Sequence, residues 1–161
     1  MASRYHTAPY YIGIDPGTAK CGFAVLTAEG LCLYRQVVDV GQLETALADL
    51  VAKYHPCLLI LGDRTGSGAV RRRLEAMTSQ VFSSGTTAAV EEGAAAKQPV
   101  VAIAQVDEHQ SSMEGRRLYL LTNRKGWRRF VPLGLQTPPE PYDHFVAEVL
   151  ARRYLQMIEQ P

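Results

Sequence analysis

Cysteine is scarce in this chain, three in 161 residues, at Cys21, Cys32 and Cys57. An odd number with no C-x-x-C pair argues against a disulfide framework or a zinc knuckle, and it suits a reducing cytosol. No run of apolar residues approaches the roughly 18 to 20 needed to span a bilayer, and Met1 to Tyr11 lacks the apolar stretch of a signal peptide. The expectation is a cytoplasmic protein with no membrane attachment. An excess of one charge is missing too: 17 Lys and Arg against 16 Asp and Glu leave a net +1, so attraction to a polyanion has to come from local clustering. Internal repeats are absent, and 13 Gly and 9 Pro are too few and too irregular for a fibrous chain.

What is present describes one ordinary domain, 1–161, with a flexible N-terminus over 1–9. A chain of this length buries roughly 70% of its unfolded surface, so it needs no staple to hold a core. Thirteen of its 17 cations are Arg, a bias that suits planar contact with phosphate or carboxylate.

Tyr10 to Ile14 reads as a buried strand closed by the turn Asp15-Pro16-Gly17. Cys21 to Leu26 and Leu31 to Val40 follow as second and third strands, completing a meander. From Gln42 to Tyr54 apolar residues recur three or four apart, a helix that Pro56 ends. Cys57 to Leu61 is apolar without alternation, as a parallel strand covered on both faces is, and Gly62 to Gly68 is its loop. Val70, Leu74, Met77 and Val81 mark a second helix, with Arg71, Arg72 and Arg73 on its polar side. Ser83 to Lys97 is small and polar and reads equally as a helix end or a connection.

Pro99 to Val106 is the last strand and ends in Asp107-Glu108-His109. Ser111 or Ser112 can cap a helix through Leu121, and Glu114 has capping-box spacing from Ser111. A basic and then proline-rich loop, Asn123 to Tyr142, leads to a final amphipathic helix from Asp143 to Ile158. The fold class is α/β: a mixed sheet of a three-strand antiparallel meander plus parallel strands, with helices on both faces. Ligands of such sheets gather beyond the carboxyl ends of the parallel strands.

Three acids fall there: Asp15 after the first strand, Glu108 after the last, Asp143 at the final helix. Each has an ordinary alternative. Asp15 can make an Asx turn, and Glu108 and Asp143 can cap helices. Together they offer carboxylate oxygens to Mg²⁺, or to Mn²⁺ in its place, with a phosphodiester supplying further ligands.

Tyr11-Ile12-Gly13-Ile14-Asp15-Pro16-Gly17-Thr18 resembles the opening of ribonuclease-H-like nucleases of the RuvC and YqgF type. Asp107-Glu108-His109-Gln110-Ser111-Ser112-Met113-Glu114 resembles the D-E-R-x-[ST]-T-x-E segment of the YqgF group, and Tyr142 to Ala147 its D-[DS]-x-x-A helix start. The resemblance implies a ribonuclease-H-like fold and a metal-dependent endonuclease with Asp15, Glu108 and Asp143 as catalytic, metal-holding acids. It implies products with 5′-phosphate and 3′-hydroxyl ends. YqgF relatives are associated with 5′-end maturation of precursor 16S ribosomal RNA, and RuvC relatives with cutting Holliday junctions. The chain departs from the RuvC pattern, which places a glutamate where Leu61-Gly62-Asp63 stands and an acid where Val146 stands, and so looks more like the YqgF branch. Within that branch His109 replaces an Arg, and Asp63-Arg64 stands where Leu-Pro is usual. Precursor rRNA is the first expected substrate and branched DNA the second, the latter calling for a homodimer to cut symmetrically.

Candidate substrate contacts are Thr18 and Lys20 after the first acid, His109 beside Glu108, and Arg71 and Arg72 on the second helix. Arg124, Lys125, Trp127, Arg128 and Arg129 mix cations with an aromatic, as surfaces that pair phosphates and stack on bases do. That loop reads alternatively as a solvated charge run whose Trp127 and Phe130 plug the core. Arg116-Arg117 and Arg152-Arg153 read as pairs on helix surfaces. Gly13 to Thr18 also resembles the phosphate hairpin of actin-like and Hsp70-like ATPases, but that architecture clamps nucleotide between two such domains and this length supplies one. A nucleic-acid-binding module without turnover is the non-enzyme alternative.

Overall fold

The computed structural model describes residues 9–63, 67–83 and 101–159, the side chains of the middle span as far as 77. The expected flexible terminus over 1–9 and the undecided segment from Ser83 to Lys97 lie almost wholly outside the described residues. Five strands form one sheet: β1 Tyr10–Pro16, β2 Lys20–Thr27, β3 Cys32–Asp39, β4 Leu58–Gly62 and β5 Ala102–Val106. Their order is β3-β2-β1-β4-β5. β1, β2 and β3 pair antiparallel, while β4 runs parallel to both β1 and β5. The mixed α/β sheet read from the sequence is the fold observed. Helices α1 Leu43–Tyr54, α2 Ser67–Ser83, α3 Ser111–Asn123 and α4 Asp143–Glu159 complete it. Among the described residues no helix is long and apolar enough to cross a membrane.

Strand alternation sorts side chains onto two faces. Ile12 and Ile14 of β1, Cys21, Phe23 and Val25 of β2, and Leu59 and Leu61 of β4 pack against Leu43, Leu47 and Leu50 of α1 and Val70 and Leu74 of α2. Ala24, Leu26, Ile60 and Val106 face the other way, against Val146, Ala147, Leu150, Ala151 and Leu155 of α4. Tyr11, Gly13 and Asp15 share the α4 face.

α4 sits close because two glycines let it. A Cβ on Gly13 would lie 2.1 Å from the Ala147 carbonyl oxygen, and one on Gly22 would lie 2.2 Å from the Asp143 carbonyl carbon. Both obstacles are backbone and cannot rotate away. Gly13→Ala is therefore expected to cost about 2 to 3 kcal/mol in a urea melt. Gly41→Ala, whose Cβ would meet nothing within 4 Å, serves as the control.

Candidate active site

One row across the sheet positions the acids. Gly22 pairs with Val37 on β3 and with Asp15 on β1. Ile14 pairs with Leu61, so the next residues, Asp15 and Gly62, lie abreast, and Gly62 pairs with Val106. The row reads Val37, Gly22, Asp15, Gly62, Val106, with adjacent strands about 4.8 Å apart. Asp15 thus has a glycine on each side, and each glycine is covered by a segment bearing another acid.

Over Gly62 lies the Glu108 carboxylate, whose Oε1 is 1.6 Å from where a Cβ would stand. Over Gly22 lies the backbone of Asp143, first residue of α4. Glu108 is buried at 4% exposure; Asp15 and Asp143 are half-buried. Burial pushes the Cys21 thiol above its ordinary range, and the negative charges of Asp15 and Asp143 both add to that shift. Two acids 128 positions apart in sequence therefore act on one atom.

Asp63, which the sequence reading left without a role, holds the Glu108 segment: its Oδ1 accepts a 3.1 Å hydrogen bond from the Glu108 backbone N–H. The capping box expected from Ser111 and Glu114 does not form. Gln110 precedes α3 in the left-handed conformation at φ 61°, with no side-chain cap, and the Ser111 Oγ is buried without a hydrogen-bond partner. Glu114 is drawn instead to Arg153 of α4, which approaches it to 2.8 Å and also donates to the Asp107 carbonyl. Fixing the Glu108 turn to α4 wins over the local cap.

The supporting residues divide between the two faces. Thr18 and Lys20 are exposed on the β1–β2 hairpin just past Asp15. His109 is exposed beside Glu108, its backbone N–H donating to Asp107 Oδ1. Arg71 and Arg72 ride on α2, which covers the face opposite to the acids. Arg71 is held by Glu75 and Gln105, and Arg72 reaches back to the Gly68 carbonyl. Arg124, Lys125, Trp127, Arg128 and Arg129 lie beyond α3, which packs on α4, so they share the acids' side of the sheet. Trp127 at 73% and Phe130 at 87% exposure plug no core. Arg116, Arg152 and Arg153 sit on helix surfaces as expected and also act as tethers: Arg116 donates to the Gln136 carbonyl, Arg152 pairs with Glu148, and Arg153 pairs with Glu114.

Glu148, fully buried on α4, was not singled out in the sequence. Its Oε2 takes a 2.5 Å hydrogen bond from Arg35 Nε of β3. Arg152 Nη2 comes within 2.7 Å of its Oε1 in a geometry too bent for a hydrogen bond, so that oxygen is held by charge. Arg35 also lies over the Phe145 ring, 4.5 Å from its centroid. Burial, with help from Arg35, holds the His144 imidazole below its ordinary value against the pull of Asp143 and Glu148. A neutral His144 is a poor phosphate anchor.

The acids of this row offer hard carboxylate oxygen donors, which fit a divalent cation such as Mg²⁺. Among the described residues no group of three His, Cys, Asp or Glu is closed into a ready coordination set. The Asp143 backbone lies against Gly22 and the Glu108 side chain against Gly62, which places both segments next to Asp15.

No family model and no curated protein matches the chain. Solved structures do. RuvC of T. thermophilus in complex with a Holliday junction substrate is 19% identical with a TM-score of 0.53, covering 92% of this chain and 96% of that one. Thermus thermophilus RuvC by itself is 18% identical with a TM-score of 0.51 over the same shares. The Fowlpox virus resolvase bound to Holliday junction DNA is 10% identical with a TM-score of 0.55, covering 92% of this chain and 98% of that one. Likeness at this level of identity establishes the ribonuclease-H-like fold.

Proposed function

We propose that this chain is a divalent-metal-dependent nuclease that hydrolyses phosphodiester bonds in branched nucleic acid. The observation that carries the reading is the row in which Asp15 stands between two glycines, one covered by the Glu108 carboxylate and the other by the start of the helix bearing Asp143.

Asp15, Glu108 and Asp143 would hold the cation, which supplies the positive charge that polarises the phosphodiester and eases proton loss from water. Asp63 keeps the Glu108 segment in register through its backbone hydrogen bond. Thr18 and Lys20, on the hairpin next to Asp15, orient the phosphate. The expected products carry 5′-phosphate and 3′-hydroxyl ends.

Two of the structural neighbours are complexes with Holliday junction DNA, which favours a branched duplex as substrate. One observation favours the precursor-rRNA reading. Val146, where the RuvC pattern has an acid, is buried, and a Cβ on Gly115 would lie 2.6 Å from its Cγ2, so α3 seals that position.

The test is a cleavage assay with Mn²⁺ on four-way junction DNA and on precursor 16S rRNA, comparing the wild type with Asp143→Asn. Asp143→Asn is expected to lose about 100-fold or more of the rate, with binding and melting temperature retained. Equal rates for the two proteins would overturn the assignment, and binding by the wild type without any cleavage would favour the non-catalytic module. Symmetric cutting of a junction needs two centres, so a homodimer on the junction is the expected sedimenting species.

A further inference from the structure

From residue 115 to residue 139 the chain holds six Lys and Arg and no Asp or Glu, within a molecule of net charge +1. This is its most one-signed stretch, and it carries the most exposed aromatic rings among the described residues. Trp127 and Phe130, three positions apart, are the second and last residues of a five-residue 3-10 turn, Gly126–Phe130. With three residues per turn, positions i and i+3 eclipse, so both rings leave the turn on one side, about 6 Å apart along its axis.

The turn is exposed but anchored. Gly126 enters it at φ +59°, a conformation a side chain would strain. Gln136 is buried beneath it, its Nε2 donating to the Arg128 carbonyl at 2.9 Å and the Val131 carbonyl at 2.7 Å. Arg116 of α3 donates to the Gln136 carbonyl at 2.5 Å, and Arg124 donates to the Arg129 carbonyl. A backbone tied at the Arg128, Arg129 and Val131 carbonyls presents its rings with little ordering left to do on binding.

We propose that this turn is a stacking platform for unpaired bases, with Trp127 and Phe130 as its two faces and Lys125, Arg128 and Arg129 pairing with the flanking phosphates. Charge selects a polyanion, and aromatic faces select bases that are not already stacked in a duplex. The inference rests on the nucleic-acid reading above and narrows it: the substrate bears a single-stranded segment beside its paired arms.

Trp127 is the sole tryptophan, so its emission reports directly on the platform. The full chain is titrated, with EDTA present to prevent turnover, with a single-stranded 12-mer and with a blunt duplex of the same sequence. Emission is expected to be quenched by the single strand and to stay near its starting value with the duplex. By anisotropy of labelled oligonucleotide, Trp127→Ala and Phe130→Ala should each weaken single-strand binding about 10-fold without changing its salt dependence. Arg128→Gln with Arg129→Gln should lower the salt slope by about two phosphate contacts.

Equal quenching by duplex and single strand, or none by either, would overturn the platform. So would emission that shifts with protein concentration alone, which would make the face a self-association surface. Quenching without cleavage by the wild type would count against the nuclease and leave the platform standing, whereas cleavage without quenching would do the reverse.

Discussion

Gly62→Ala is expected to cut cleavage by about 100-fold or more while leaving the fold and nucleic-acid binding intact. The new methyl would fall 1.6 Å from Glu108 Oε1, 2.4 Å from its Cδ and 2.5 Å from its Cγ. All three atoms belong to the far end of a flexible side chain, so the chain escapes the clash by swinging that carboxylate out of the row. Backbone pairing of β4 with β1 and β5 has no reason to change. The expected signature is therefore a fall in kcat/KM with Mn²⁺ at an unchanged melting temperature, and a steeper requirement for the cation. Gly68→Ala, with nothing within 4 Å of its Cβ, should retain the wild-type rate. Full activity of Gly62→Ala would show that Glu108 does not need its place beside Asp15, and the three-acid reading would fail with it.

The same residue illustrates what sequence could and could not reveal. Strands and helices were legible because their periodicity is a local property: β4 was expected over Cys57 to Leu61 and is found one residue on, and α4 begins at Asp143 as expected. The acids were legible as ends of elements. What makes them neighbours was not, because it depends on cross-sheet register. Gly62 looks like any loop glycine until Asp15 is seen abreast of it, and Gly22 like any strand glycine until α4 lies on it. The capping box failed for the same reason: Glu114 had a distant competitor, Arg153, that no local window contains. Trp127 and Phe130 had two readings in sequence because aromatic residues serve cores and surfaces alike, and only their exposure decides. The signal for Glu148 is its spacing: it stands three and seven residues before Ala151 and Leu155, on the buried side of α4.

Arg35→Met is expected to destabilise the protein by about 3 kcal/mol, and Arg35→Met combined with Glu148→Met to restore most of that loss. Glu148 is fully buried between α4 and the sheet, so removing Arg35 strands its charge in a place water does not reach. The cost stays near the lower end of what a broken buried pair shows, because Arg152 still lies 2.7 Å from the other oxygen and is itself partly solvated. Methionine at both positions removes both desolvation penalties and fills the space with flexible apolar chains. Some deficit should remain from the lost stacking of Arg35 on Phe145. Urea melts of the two single variants and the double variant give the coupling directly. Additive losses would mean that the 2.5 Å contact contributes no net pairing energy. Strong coupling would establish that this ion pair sets how α4 seats on β3, five residues from Asp143. The cleavage rate of the double variant then separates stability from placement: a restored melt with a depressed rate means that the charged pair, and not packing alone, aims the start of α4 at Asp15.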